Sequence, residues 1–167
     1  YEQLNGYKYL KSLGIGYHFY QGAYLTAIME VLDLSKKTII HIPSVNSRAS
    51  TGDKYDEVKQ IIDKIGETVE INYETRIYTV RTPNGQLLKI ADLVEDNPRE
   101  RLQLQAFLQR MHKPDAVDII IALGTAKEGF DWQWCEHCLT IGVRGSLTEV
   151  VQIIGRCTRD CEGKSHA

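Results

Sequence analysis

The chain has 167 residues, 43% of them hydrophobic and 25% charged, with a formal net charge of -2 and a pI near 6.2. This is enough for one domain with a full core. A charge so close to neutral excludes a global field as the means of holding nucleic acid and leaves only a local patch.

No apolar run approaches the roughly 20 residues of a membrane helix, and there is no internal repeat or low-complexity tract. Tyr1 follows no methionine, no signal-peptide pattern is present, and the chain ends shortly after a charged turn. A piece of a longer, cytoplasmic protein with no membrane partner is therefore expected.

Residues 1–17, rich in Tyr and Gly, read as a linker or arriving segment, and residues 18–167 as one domain. Apolar side chains at helical spacing over residues 18–34, including Tyr24, Ala27, Ile28, Val31 and Leu32, predict a first helix. T-I-I-H-I at Thr38–Ile42, ended by Pro43, predicts a buried strand. A polar loop with Ser44, Asn46, Ser47 and Arg48 follows. A helix then runs through Val58, Ile61, Ile62 and Ile65 and stops at Gly66.

Ile71, Tyr73, Thr75, Ile77 and Thr79 alternate with polar or mixed neighbours, and Pro83-Asn84-Gly85 supplies a turn before another apolar run at residues 87–90. This predicts an antiparallel hairpin over about 68–90, inserted into a parallel sheet or extending its edge. Asn97-Pro98 and Glu100 mark a helix start, with Leu104, Phe107, Leu108 and Met111 on one face. V-D-I-I-I-A-L at 117–123 is a strand apolar enough to be covered on both faces. Residues 139–143 form a further short strand, and S-L-T-E at 146–149 is a capping box opening the last helix. Strands alternating with helices imply parallel β-α units in an α/β sandwich.

That last helix holds Q-I-I-G-R-C-T-R at 152–159. At about 100° per residue, Gln152, Arg156 and Arg159 fall within roughly 60° of one another. Val150, Val151, Ile153 and Ile154 point the other way. Two planar, permanently charged guanidiniums beside an amide suit a polyphosphate. Taken alone, such a pattern more often marks a solvated polar stripe.

One strand earlier lies G-T-A-K-E-G-F-D-W at 124–132, just past a buried strand, where parallel sheets bind ligands. Gly124 and Gly129 permit close backbone approach. Thr125 can meet a phosphate, and Asp131 can accept from sugar hydroxyls. By itself this is an ordinary loop composition.

The ordered pair of segments resembles motifs V and VI of superfamily 2 helicases, as found in the second RecA-like domain of these motors. The nearer likeness is to the DEAD/DEAH-box-related translocases of the type III restriction subunit and excision-repair kind, which carry E-G-x-D followed by Q-x-x-G-R-x-x-R. T-I-I-H-I-P-S at 38–44 sits where motif IV of that domain lies. The likeness covers most of the chain in element order and about a quarter of it in motif.

The resemblance implies a RecA-like three-layer sandwich with a mainly parallel sheet. It implies that Arg156 and Arg159 act as fingers on the γ-phosphate, with Gln152 near the nucleotide and Gly155 allowing close packing. Glu128, Gly129 and Asp131 match the E-G-x-D core, with Asp131 coupling nucleotide to the nucleic-acid site. Thr125, Ser44, Asn46 and Ser47 are the expected phosphate contacts to nucleic acid. Gln133 departs from the proline that many relatives place two residues after the aspartate.

No G-x-x-x-x-G-K-[ST] and no D-E-x-D/H tetrad occurs in the chain. ATP and Mg2+ are the implied cofactors, and the Mg2+ ligands and the water-activating acid are expected in a preceding N-terminal RecA-like domain. The implied function is the C-terminal motor domain of an ATP-dependent DNA helicase or translocase. The alternatives are an RNA helicase domain and a non-catalytic nucleotide- or nucleic-acid-binding α/β module.

Other features have two readings each. C-E-H-C at 135–138 and C-T-R-D-C at 157–161 superficially resemble halves of a zinc site. Cys138, however, opens the apolar run C-L-T-I-G-V of a strand, and buried free cysteine is a common small hydrophobe; no zinc is predicted. His41 is expected to be a hydrogen-bonded core residue rather than a catalytic one. Trp132 and Trp134 are expected to pack, the alternative being stacking on a base. The hairpin is expected to be a plain insertion, the alternatives being a strand-separating wedge or an interdomain prop.

Overall fold

The computed structural model describes residues 24–42, 54–94, 99, 102, 103, 106, 116–123, 132 and 134–141. Their elements are α1 (Tyr24–Val31), β1 (Thr38–Ile42), α2 (Lys54–Ile65), β2 (Glu67–Asn72), β3 (Ile77–Arg81), β4 (Leu87–Asp92), β5 (Ile119–Leu123) and β6 (His137–Thr140). The strands form one sheet in the order β2-β3-β4-β5-β1-β6. β4, β5, β1 and β6 are mutually parallel, and β2-β3-β4 is an antiparallel meander. The α/β class with a mostly parallel sheet is as the sequence implies.

Period-two alternation sorts the strand side chains onto two faces. Ile40 and Ile42 of β1, Leu88 and Ile90 of β4, and Ile119 and Ile121 of β5 pack with Leu25 and Ile28 of α1 and with Val58, Ile61, Ile62 and Ile65 of α2. Ile39, Ala91, Ile120 and Ala122 point to the opposite face, against Leu93, Val117, Trp132 and Cys135. Ile119, Ile120 and Ile121 are all fully buried, and each contributes about 1.5–3 kcal/mol by leaving water. This is why the 117–123 run has no polar alternation.

α2 forms as expected from its spacing, with Asp56 and Glu57 in the first turn and Lys64 in the last, complementing the helix dipole. Gly66 ends it and donates its amide to the Ile62 carbonyl at 3.0 Å. A Cβ at Gly66 would stand 2.1 Å from the Arg81 carbonyl oxygen, so the α2–β2 junction presses directly on β3. Gly66→Ala is expected to cost about 1–3 kcal/mol through overpacking, read as a lower denaturant midpoint. An unchanged midpoint would refute the close approach.

The antiparallel structure expected over about 68–90 is present and extends the edge of the parallel sheet, with one strand more than expected. The alternating stretch at 69–80 is two strands, β2 and β3, joined by a turn at residues 73–76. The alternation runs on through the turn because Tyr73 and Thr75 continue the pattern that Ile71 and Ile77 set on either side. The Pro83-Asn84-Gly85 turn is present, closed by Gly85 N–H to the Thr82 carbonyl at 2.9 Å, with Gly85 at φ 87°. This is the three-residue hairpin loop ending in a left-handed glycine. β4 is no mere hairpin arm: it pairs in parallel with β5, so the meander is continuous with the main sheet.

The strand expected at 139–143 begins two residues earlier and ends three earlier, at His137–Thr140, and is half-buried, the outermost of the described strands on its side. Arg99, Leu102, Gln103 and Ala106 are helical and exposed. The apolar face expected from Leu104, Phe107, Leu108 and Met111 falls outside the described residues, as do residues 1–23 and the last helix. No described helix is long and apolar enough to cross a membrane.

Candidate functional site

The parallel strands set where a ligand can sit. Ile42, the last residue of β1, is paired in register with Leu123, the last of β5, so these strand ends stand about 4.8 Å apart. On the other side of β1, His41 is paired with Thr140, and Ile141 N–H donates to the His41 carbonyl at 3.1 Å. The chain therefore enters residues 43–53, 124–131 and 142–167 from three adjacent strand ends on one edge of the sheet.

The described elements that follow β1 and β5 lie on opposite faces of the sheet. The chain leaving β1 reaches α2, which packs on one face of the sheet. The chain leaving β5 reaches Trp132 and Cys135, which pack on the other. Adjacent parallel strands whose connections part to opposite faces form a topological switch point, the crevice in which α/β sheets bind ligands.

Each expected site residue belongs to one of these three segments. Ser44, Asn46 and Ser47 follow β1; Thr125, Glu128, Gly129 and Asp131 follow β5; Gln152, Arg156 and Arg159 follow β6. All ten lie outside the described residues. Among the described residues no group of three His, Cys, Asp or Glu side chains is placed to hold a metal ion.

The chain leaving 124–131 is pinned down by its next residue. Trp132 is buried in the core, and Cys135 N–H closes a turn onto the Trp132 carbonyl at 3.1 Å. Cys135 is fully buried, its thiol donating to the His137 carbonyl at 3.3 Å. Trp134 packs half-buried against the same cluster. Both tryptophans thus pack, and Trp132 is not open to a base. His41 is buried on β1, its Nδ1 3.9 Å from the Cys138 sulfur, as expected of a partnered core histidine. Cys138 is half-buried, short of the burial expected for it. Cys157 and Cys161 lie outside the described residues.

A second group at the same edge is not evident in the sequence. β3 begins beside the end of β4, Ile77 pairing with Ala91, so the β2–β3 turn stands at the carboxyl edge too. Arg76 adopts φ 53°, left-handed for a bulky residue. Its guanidinium meets the buried Asp92 carboxylate at 3.1 Å and donates to the Val94 carbonyl at 2.9 Å. Asp92 N–H donates to the Arg76 carbonyl at 3.0 Å, and Val94 N–H to the Asp92 carboxylate at 2.9 Å. Burial, then the Asp92 charge, raises the pKa of the neighbouring Tyr78 hydroxyl above its usual value. The only sequence signal is an acid at the end of an apolar strand and an asparagine before a turn.

The opposite, amino edge is a clamp of charges. Lys37 Nζ meets Asp118 at 2.7 Å, Asp118 accepts from Lys89 N–H at 2.9 Å, and Glu136 accepts from Lys37 N–H at 3.3 Å. These contacts tie the starts of β1, β5 and β6 to β4.

Compared with known proteins, the chain is 61% identical over its whole length to "Putative ATP-dependent helicase YeeB" of Bacillus subtilis (strain 168). The two are homologous. The chain spans 28% of the length of that relative. No protein-family model and no solved structure matches the chain.

Proposed function

We propose that this chain is the C-terminal motor domain of an ATP-dependent DNA helicase or translocase. The observation that carries the reading is the identity of 61% over the whole chain with "Putative ATP-dependent helicase YeeB". The sheet supports it: strand ends that lead into the motif IV-like, motif V-like and motif VI-like segments stand side by side at a switch point.

In this reading Arg156 and Arg159 supply cationic donors to a nucleotide held mainly by an N-terminal RecA-like domain, with Gln152, Glu128, Gly129 and Asp131 linking that site to the strand. Thr125, Ser44, Asn46 and Ser47 hold nucleic-acid phosphates. ATP with Mg2+ supplies the free energy when bound. Because the site is split between domains, hydrolysis requires closure, and opening and closing moves the strand.

The reading is tested by comparing the chain alone with the full-length protein. The chain alone is expected to hydrolyse ATP no faster than background, since it lacks a phosphate-binding loop. The full-length protein is expected to be stimulated by single-stranded DNA more than by RNA. Robust hydrolysis by the chain alone sinks the assignment, and preferential stimulation by RNA makes it an RNA helicase domain.

A further inference from the structure

Cys138 and His41 form a pair that the motor reading does not use. β1 and β6 are parallel neighbours, with Ile39 set against Cys138 and His41 against Thr140. Period-two alternation puts all four on one face of the sheet, the face on which Cys138 packs against the cluster of Ile39 and Cys135. The Cys138 sulfur lies 3.9 Å from His41 Nδ1, within reach of a weak hydrogen bond. A thiol and an imidazole at that separation are the two parts of an activated nucleophile.

Exposure separates this thiol from its neighbour. Neither Cys135 nor Cys138 is joined in a disulfide. Cys135 is fully buried and its thiol donates to the His137 carbonyl at 3.3 Å. Cys138 is half-buried on β6, the outermost described strand on that side, so a small solute has access to it. Reactive cysteines are partly exposed and lie beside a base or a cation, whereas fully buried ones are inert.

A third group stands beside the pair. Thr140 Oγ1 is buried and has no hydrogen-bond partner among the described residues. An orphan hydroxyl of this kind is uncommon, and a redox or catalytic role is among the reasons for one. Thr140 lies directly across from His41 and one step along the same face from Cys138, about 6.5–7 Å along the strand.

We propose that Cys138 is a site of reversible oxidation, converted to a sulfenic acid by hydrogen peroxide with His41 as base and Thr140 as hydrogen-bond donor. A sulfur lone pair attacks one peroxide oxygen, the S–O bond forms and the O–O bond breaks. The thiol proton passes to His41 Nδ1 and from there to the departing hydroxide, which leaves as water. Sulfur loses two electrons and the peroxide gains them. The oxygen now on sulfur is the acceptor that the Thr140 hydroxyl lacks. This chemistry is independent of the motor reading, since it uses none of the three motif-bearing segments.

The test is treatment of the full-length protein with hydrogen peroxide at neutral pH in the presence of dimedone, which traps sulfenic acids, with each cysteine followed by mass spectrometry. Cys138 is expected to gain the dimedone adduct faster than glutathione does under the same conditions, and Cys135 to gain none. An ordinary thiol is only a few per cent thiolate at pH 7, so loss of the base in His41→Asn is expected to slow the reaction by up to about 30-fold. Thr140→Val, of nearly the same shape, is expected to slow it roughly 2- to 10-fold, the worth of one hydrogen bond. Melting temperatures show whether each variant is folded. Should His41→Asn fail to fold, the wild-type rate and Thr140→Val decide alone. A wild-type rate no faster than that of glutathione would overturn the proposal, and so would an unchanged rate in folded His41→Asn. An unchanged rate in Thr140→Val would remove the hydroxyl from it.

Discussion

Arg156→Ala or Arg159→Ala in the full-length protein is expected to slow ATP hydrolysis about 10³- to 10⁵-fold while leaving nucleotide affinity within a few-fold of wild type. The expectation follows from what a finger does. Phosphoryl transfer spreads negative charge over the transferring group, and a positioned guanidinium stabilises that charge more in the transition state than in the bound nucleotide. Removing it therefore lowers turnover far more than binding.

Arg156→Lys keeps the charge but loses the planar fork, so it is expected to recover only part of the rate. Single-turnover hydrolysis beside nucleotide titration separates the two effects. If neither alanine variant slows turnover, the pair is a solvated stripe and the split-site reading fails.

Trp132→Ala is expected to produce the largest loss of stability among single changes at the described positions, about 3–5 kcal/mol as for a buried aromatic truncated in a core. In a chain of this size that lowers the melting temperature by roughly 6–20 °C. Trp132 packs with Ile39, Ala91, Ile120 and Ala122 beneath the sheet, and no neighbour can fill the space that an indole leaves. It also follows directly on Asp131 in the chain.

The variant is therefore expected to reduce activity of the full-length protein even below its melting temperature, because the segment bearing Glu128, Gly129 and Asp131 loses its anchor. Trp132→Phe fills most of the volume and is expected to recover most of the stability. Thermal unfolding and activity at a temperature well below the transition measure the two consequences separately. A Trp132→Ala protein as stable as wild type would contradict the packing.

How much of this was legible in the sequence depends on how local each signal is. Thr38–Ile42 and the 117–123 run announce themselves, because a strand covered on both faces reads as a nearly continuous apolar run. α2 does so because its four apolar residues recur at helical spacing and Gly66 follows them. The Pro83-Asn84-Gly85 turn is legible because a left-handed φ calls for glycine.

The turn at residues 73–76 is not legible, since the alternation continues through it. Its left-handed position is filled by Arg76, whose side chain is held by Asp92 and the Val94 carbonyl, sixteen and eighteen residues away. The Trp132 anchor is ambiguous in sequence for a related reason: an indole beside a ligand loop packs or stacks depending on which face of the sheet its segment crosses.

The sequence by itself therefore determined the α/β class, the buried strands at 38–42 and 117–123 with the α2 helix between them, and the residue chemistry of the three motif-bearing segments. Those are consequences of periodicity, caps and side-chain type, which act over a few residues. Only the tertiary structure decided the strand order β2-β3-β4-β5-β1-β6. With that order came the juxtaposition of the β1, β5 and β6 ends and the placing of His41 beside Cys138. Pairing between strands far apart in the chain is settled by hydrogen-bond register and by two-sided burial, neither of which any local stretch of sequence contains.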